Sequence, residues 1–164
     1  METERLRLRP TDLSDANFML ELLNTPQFIE HIGDRSVRTL EEAQEYIQLR
    51  ILPQFERLEY GNYTIIEKAT GEKIGTCGLY DRKVLEINDI GFALLPPFEG
   101  KAMAYEASKA VMDFASRNFG ISKFSAITTD TNYRSQALIE RLALSFRKYI
   151  RLTNDPEDLR YYEN

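Results

Sequence analysis

The residues richest in chemical potential run Pro96-Pro97-Phe98-Glu99-Gly100-Lys101-Ala102-Met103-Ala104-Tyr105-Glu106-Ala107, between an apolar stretch ending at Leu95 and a helical pattern starting near Met103. A strand that hands a short loop of small residues to a helix start leaves several backbone N–H groups unpaired and converging, an anion site of a size that suits a pyrophosphate. The same composition also closes ordinary tight turns, so the residues alone leave both readings open. Other reactive groups are few. One histidine (His31), one cysteine (Cys77) and no tryptophan exclude by count a zinc finger, a Cys-x-x-Cys redox pair and a disulfide framework, and no metal site is expected. A Ser-His-Asp triad could draw only on His31; catalysis must otherwise rest on carboxylates, hydroxyls, the single thiol, backbone groups or a bound cosubstrate. Cys77, between Thr76 and Gly78, has nothing nearby in sequence to lower its pKa and reads as a small core residue.

Charge narrows the partners. The net charge is −5 over 164 residues, with a pI near 5.1, which argues against a general nucleic-acid partner because counterion release needs a basic face. The average hides an asymmetry: residues 1–95 carry 11 Lys and Arg against 17 Asp and Glu, whereas residues 96–150 carry 8 against 5. An anionic ligand therefore suits the second stretch and a cationic one the first. The opening Met1-Glu2-Thr3-Glu4-Arg5-Leu6 has acids at once and no apolar segment, so it does not read as a secretory signal, and no apolar run approaches a bilayer span. A cytoplasmic protein without a membrane partner is expected.

The elements that must position these residues follow from periodicity. With no repeat or long linker, residues 1–164 read as a single domain. Thr11 to Asn24 has a helical apolar face with Thr11 as cap, and a second helix starts at Thr39, whose spacing to Glu42 makes a capping box. Pro53 should end or kink that helix. Residues 62–68, 73–80 and 85–95 read as strands, with a turn at Thr70-Gly71-Glu72. A helix over Met103–Phe119 should end at Gly120. Strands at 123–128, 145–152 and 159–162 and a helix at 133–142 complete the order, which points to a mixed α/β sheet with helices on both faces.

Two of these stretches resemble the GNAT superfamily of N-acetyltransferases, in particular the branch of ribosomal-protein N-terminal acetyltransferases. The 96–107 segment is similar to the family's acyl-CoA-binding loop, often W-G-K-G-Y-A-T-E-A. Thr128-Thr129-Asp130-Thr131-Asn132-Tyr133-Arg134-Ser135-Gln136-Ala137, followed by Glu140-Arg141-Leu142, is similar to N-x-x-S-x-x-x-x-E-K-L-G-F, and Arg5-Leu6-Arg7-Leu8-Arg9-Pro10 looks like the family's first strand. The resemblance implies the acyl-CoA N-acyltransferase fold, a twisted mixed sheet of about seven strands, and transfer of acetyl from acetyl-CoA to a primary amine. It places the pantetheine arm along the strand edge Gly91–Leu95, and so against Phe92, Ala93 and Leu94. The pyrophosphate falls over Gly100, Lys101, Ala102, Met103 and Ala104. Asn132 would meet the cofactor backbone, and Ser135 would lie near the sulfur.

The same resemblance makes Asp89, before the Ile90-Gly91-Phe92 run, the base, with Glu86 as substitute. The tyrosine acid of many members falls at Ile139, which cannot donate, leaving Ser135 as proton donor to the thiolate or as a helix-capping residue. His31 and Tyr80 would border the acceptor. At pH 7 an α-amine near pKa 7.8 is neutral in about one molecule in seven, against roughly one in 2,500 for a lysine amine, so an N-terminal α-amine asks least of a base. A small amine such as a polyamine remains open, as do monomer and homodimer. Glu99 stands where the family has Gln or Arg, Ala102 where it has its central Gly, and Ala143-Leu144 where it has Gly-Phe. These departures motivate the alternative of a catalytically silent module of the same fold that binds acyl-CoA or a partner. A left-handed backbone at Ala102 would cost about 1 kcal/mol, a helical one little.

Overall fold

The computed structural model describes residues 1–82, 84–153 and 157–164. Its sheet has seven strands in the order β1-β2-β3-β4-β5-β7-β6. β1 (Leu6–Pro10), β2 (Asn62–Glu67), β3 (Lys73–Tyr80) and β4 (Asp89–Leu94) pair antiparallel in succession. β5 (Ser125–Thr128) runs parallel to β4, and β7 (Leu159–Glu163) lies antiparallel between β5 and β6 (Ser145–Ile150). This is the mixed sheet that the order of elements implies. The expected strand over 85–95 starts only at Asp89, because the Leu85 amide donates to Arg82 O (2.9 Å) and turns the chain there.

The core divides between the two faces. On one, α5 (Met103–Phe119) packs on β1, β3 and β4 through Met103, Ala107, Val111 and Ala115, beside Leu8, Ile65, Leu79 and Ile90, and α6 (Tyr133–Arg141) joins through Ile139. On the other, α1 (Ala16–Leu23), α2 (Pro26–His31) and α3 (Leu40–Tyr46) enclose Leu22, Phe28, Ala43 and Ile47, with Ala93 and Leu95 against them. Residues three and four apart share a helix face, which is why one stripe from each helix is buried.

Three local outcomes refine the expectations. The cap ahead of α1 is Asp12, whose carboxylate accepts from Ser14 N (2.8 Å) over a 3₁₀ turn at Leu13–Asp15. Thr11 is instead buried, its hydroxyl 2.9 Å from that of Thr64. Pro53 does not end its helix but perturbs it: a π segment, Ile47–Ile51, lets Leu52 N donate five residues back to Ile47 O, and α4 (Leu52–Leu58) continues. Widening the turn removes the ring's clash with the carbonyl four residues earlier. The capping box at Thr39 and the left-handed Gly120 after α5 are as the sequence indicates.

The corner between β1 and α1 holds a buried carboxylate. Asp15 takes two hydrogen bonds from Arg9 (2.8 and 2.6 Å), an ion pair with Lys73 (2.7 Å), the Thr64 hydroxyl (2.9 Å) and the Asp12 amide (3.1 Å). Burial alone would raise its pKa, yet these partners together hold it below the ordinary carboxylate range.

Candidate active site

The sheet opens between β4 and β5. The two strands share one residue pair, Asp89↔Ser125, anchored by Ser125 N donating to Asn88 O (2.9 Å). Leu95 N donates to Ile74 O on the β3 side (2.8 Å), and alternation along the antiparallel pair then turns the amides of Gly91 and Ala93 to β3 as well. The amides of Phe92 and Leu94 consequently face the opening. Of the three strand residues that the sequence singled out, Phe92 and Leu94 offer backbone donors there and Ala93 packs against the α1–α3 core.

At the wide end the chain makes a 3₁₀ turn at Pro96–Phe98 and reaches α5 through Gly100 (φ +73°) and Ala102 (φ +59°). The first intrahelical bond of α5 is Glu106 N to Ala102 O (3.1 Å), and no side chain caps the helix, so the amides of Met103, Ala104 and Tyr105 are free beside its positive dipole end. Ala102 adopts the left-handed conformation that costs an alanine about 1 kcal/mol. Lys101 is exposed, with its ammonium 5.3 Å from the Phe98 ring centroid, and its carbonyl accepts from Arg5 Nη1 (3.0 Å). Glu99 is not a bare acid beside this donor cluster: its Oε2 lies 3.2 Å from Arg134 Nη1, an ion pair that bridges the chain after β4 to the start of α6 after β5.

On the β5 side, Asn132 caps α6 by accepting from Ser135 N (3.1 Å). Capping is thus done by the asparagine side chain and the serine amide. The Ser135 hydroxyl, half-buried, has no partner among the described residues and is left available.

Asp89 stands at the apex, where the strands part. It is no solvent-facing strand carboxylate, its side chain being 2% exposed. Oδ2 accepts from Arg82 Nε at 2.6 Å, whereas Oδ1 is buried without a hydrogen bond; the Ile127 amide of β5 also acts on the carboxylate, less than Arg82 does. Burial raises the Asp89 pKa and Arg82 draws it partly back, leaving it above the ordinary value. Tyr80 pairs across from Asp89 on β3 and donates its hydroxyl to Asn62 Oδ1 (2.5 Å). Its ring lies so close over Gly91 that a Cβ there would come within 2.8 Å of it, which is why glycine occupies that position. Arg82 lies over the same ring, 5.7 Å from its centroid. Burial pushes the Tyr80 phenol far up, so it stays neutral.

The remaining sequence candidates lie apart from this apex. Glu86 is exposed on the turn ahead of β4. His31 ends α2, which packs on α1, and it shares no hydrogen bond with Tyr80 or Asp89; its Nδ1 is buried without a partner. Cys77 is buried 3.6 Å from the Ser108 hydroxyl, with its thiol pushed up to about 12 by desolvation. No group of three or more His, Cys, Asp or Glu is placed to hold a metal among the described residues. Sequence reasoning missed Arg82 and Asn62. The only signal for Arg82 was a cation two positions beyond Tyr80, in a turn of unknown geometry.

A split sheet with free strand amides leading to an uncapped helix start is the arrangement that the sequence resemblance implies for an acyl-CoA N-acyltransferase fold. The comparisons agree. Residues 5–145 match the model of the acetyltransferase (GNAT) domain, and the chain belongs to that family of acetyltransferases. An N-acetyltransferase called p20 from Bacillus licheniformis, itself uncharacterized, is 28% identical over 148 residues, covering 89% of this chain and 81% of its own. Among solved structures, a spermidine N-acetyltransferase from Vibrio cholerae, in complex with CoA and spermine, superposes with a TM-score of 0.80 at 13% identity over 99% of this chain and 96% of that one. A ribosomal-protein-S5-alanine acetyltransferase from Vibrio fischeri gives 0.76 at 17% identity over 100% and 94%. At such identities these neighbours establish the fold. No helix is long and apolar enough to cross a membrane among the described residues.

Proposed function

We propose that this chain transfers the acetyl group of acetyl-CoA to a primary amine, most readily an N-terminal α-amine of a protein or peptide, in a cytoplasmic setting. The observation that carries the reading is the split after Asp89↔Ser125, with the Phe92 and Leu94 amides along one edge and the α5 amides at its end. The residues fit the cosubstrate. Phe92 and Leu94 can bind an extended amide-bearing arm as a neighbouring strand would. The Met103–Tyr105 amides, Gly100 and Lys101 form a donor cluster for a pyrophosphate, and the two acids near it are paired, Glu99 with Arg134 and Glu106 with Arg5. Coenzyme A supplies a thioester whose thiolate, of pKa near 8.5, leaves readily.

The chain then has little bond chemistry left to perform. Its main contribution is to hold amine and thioester carbonyl together. As the amine nitrogen bonds to the carbonyl carbon and the C–S bond breaks, Asp89, through water from its buried position, takes the amine proton, and Ser135 Oγ donates to the departing sulfur while accepting a proton from solvent water in the same step. A carboxyl with a raised pKa is a better match to proton transfer near neutral pH than an ordinary aspartate.

The test is a calorimetric titration with acetyl-CoA, followed by thiol-release assays over N-terminal peptides and polyamines. Micromolar binding and turnover, fastest on peptides with free N-termini, is the expected result. A folded protein that gives no heat with acetyl-CoA would overturn the reading in favour of a silent module, and turnover on polyamines alone would overturn the acceptor.

A further inference from the structure

We propose that Arg82 is the positioning residue of this site: by fixing Oδ2 of Asp89 it turns Oδ1 toward the opening between β4 and β5. The inference rests on the acetyltransferase reading above. It is motivated by an asymmetry within one carboxylate. Oδ2 is bound at 2.6 Å by Arg82 Nε, and Oδ1, equally buried, has no hydrogen bond. A buried carboxylate oxygen left unpaired is costly unless it has a use, and such exceptions concentrate where chemistry occurs. The side chain of Arg82, 35% exposed, reaches Asp89 from the turn after β3 while its guanidinium lies over the Tyr80 ring. Tyr80 is in turn tied to Asn62 (2.5 Å) and packed on Gly91. The chain Asn62–Tyr80–Arg82–Asp89 thus sets the direction of the carboxylate from the strand beside it.

Among the partners of Asp89, Arg82 acts on it most strongly, with the Ile127 amide of β5 the smaller contributor. Tyr80 on β3, Tyr46 on α3 and Tyr161 on β7 face the pair, together with Cys77 behind Tyr80. Burial first, and then the Glu163 carboxylate, push the Tyr161 phenol up to about 12, and Tyr80 and Cys77 are likewise raised. Tyr80, Tyr161 and Cys77 are therefore uncharged at neutral pH, and Arg82 is the cation that acts on the carboxylate. An opposite charge at such a distance moves a carboxyl by one to three pH units. Removing it should move Asp89 further upward by about one unit or more.

Two readouts test this on the full chain. In the first, ¹³C carboxyl resonances of aspartate-labelled protein are titrated, with Asp89 assigned by its loss in Asp89→Asn. Arg82→Gln should shift the Asp89 titration upward by about one unit or more, and Arg82→Lys should restore most of the wild-type midpoint. In the second, the acid limb of the kcat/KM profile should move upward in Arg82→Gln by the same amount, with the dissociation constant of acetyl-CoA changed less than about twofold. An unmoved Asp89 titration in folded Arg82→Gln, or an equal loss of activity in the Gln and Lys variants without change of pH profile, overturns the proposal. Failure of the acetyltransferase reading would look different: wild-type protein would turn over no amine, while the ¹³C titration would still decide whether Arg82 controls Asp89.

Discussion

Asp15 and Asp89 are both buried aspartates beside arginines, 0% and 2% exposed at the side chain, yet the fold treats them in opposite ways. Asp15, at the corner of β1 and α1, is gripped by Arg9, Lys73, Thr64 and the Asp12 amide until both oxygens are satisfied, and its pKa is lowered. Asp89, at the parting of β4 and β5, has one cation on one oxygen, and its pKa is raised. Burial and an ion pair alone do not mark a catalytic carboxylate, since Asp15 has both. What sets Asp89 apart is the unpaired buried oxygen where β4 and β5 part, the feature on which its proposed role as base rests.

The contrast can be broken in order of effect. Asp15→Asn should cost about 3–5 kcal/mol of folding stability in urea titration, because it leaves Arg9 and Lys73 facing a neutral amide. Asp89→Asn should lower turnover about 100-fold or more while changing stability by less than about 1 kcal/mol. The charge removed is one that burial penalises, and partly exposed Arg82 can turn to water. Equal stability losses in the two variants would erase the distinction. Acid titration of stability sharpens it, because the signs oppose. Asp15 has a lowered folded pKa, so its stabilisation is present above the ordinary carboxylate range and lost as pH falls through the folded value. Asp89 has a raised folded pKa, so its contribution is present at low pH and lost as pH rises through the folded value. The acid limb of wild-type unfolding should flatten in Asp15→Asn and steepen slightly in Asp89→Asn. The smallest effect lies away from both carboxylates: Ala102→Gly relieves a left-handed alanine at φ +59° and should add up to about 1 kcal/mol in thermal unfolding, less the entropy that glycine brings to the unfolded chain.

Much of this arrangement was legible because it is written in local pattern. α5 and its ending at Gly120, the capping box at Thr39 and the strand at 73–80 depend on neighbours in sequence. Even α2, which periodicity passed over, carries a readable start in Thr25-Pro26, with Thr25 accepting from Phe28 N (3.3 Å). Pro53 signalled a disturbance of its helix, but the form taken, a widened turn over Ile47–Ile51, has no residue signature of its own. In the site, the backbone donors near Gly100 and the serine of α6 could be placed from motif spacing. The pairing of Glu99 with Arg134 could not, because it joins residues brought together by two different strands. Arg82 was invisible for the same reason, its partner lying across a turn whose shape only the folded chain defines.

The single residue pair between β4 and β5 also bears on how the molecule holds together. Strands β1 to β4 are zipped by successive antiparallel ladders, and β5, β7 and β6 by their own. Hydrogen bonding therefore makes two half-sheets with one seam, and continuity across it falls to α5, packed on β1, β3 and β4, meeting α6, packed on β5 and β6. Such a seam is where cooperative unfolding can divide into two units with different protection against hydrogen exchange. A molecule seated in the opening and bonded to both edges would act as a cross-tie, favouring the joined state by RT ln(1 + [L]/Kd), about 2.7 kcal/mol at a hundredfold excess over its dissociation constant. Acetyl-CoA seated in this gap as proposed would thus also contribute to the mechanical unity of the fold.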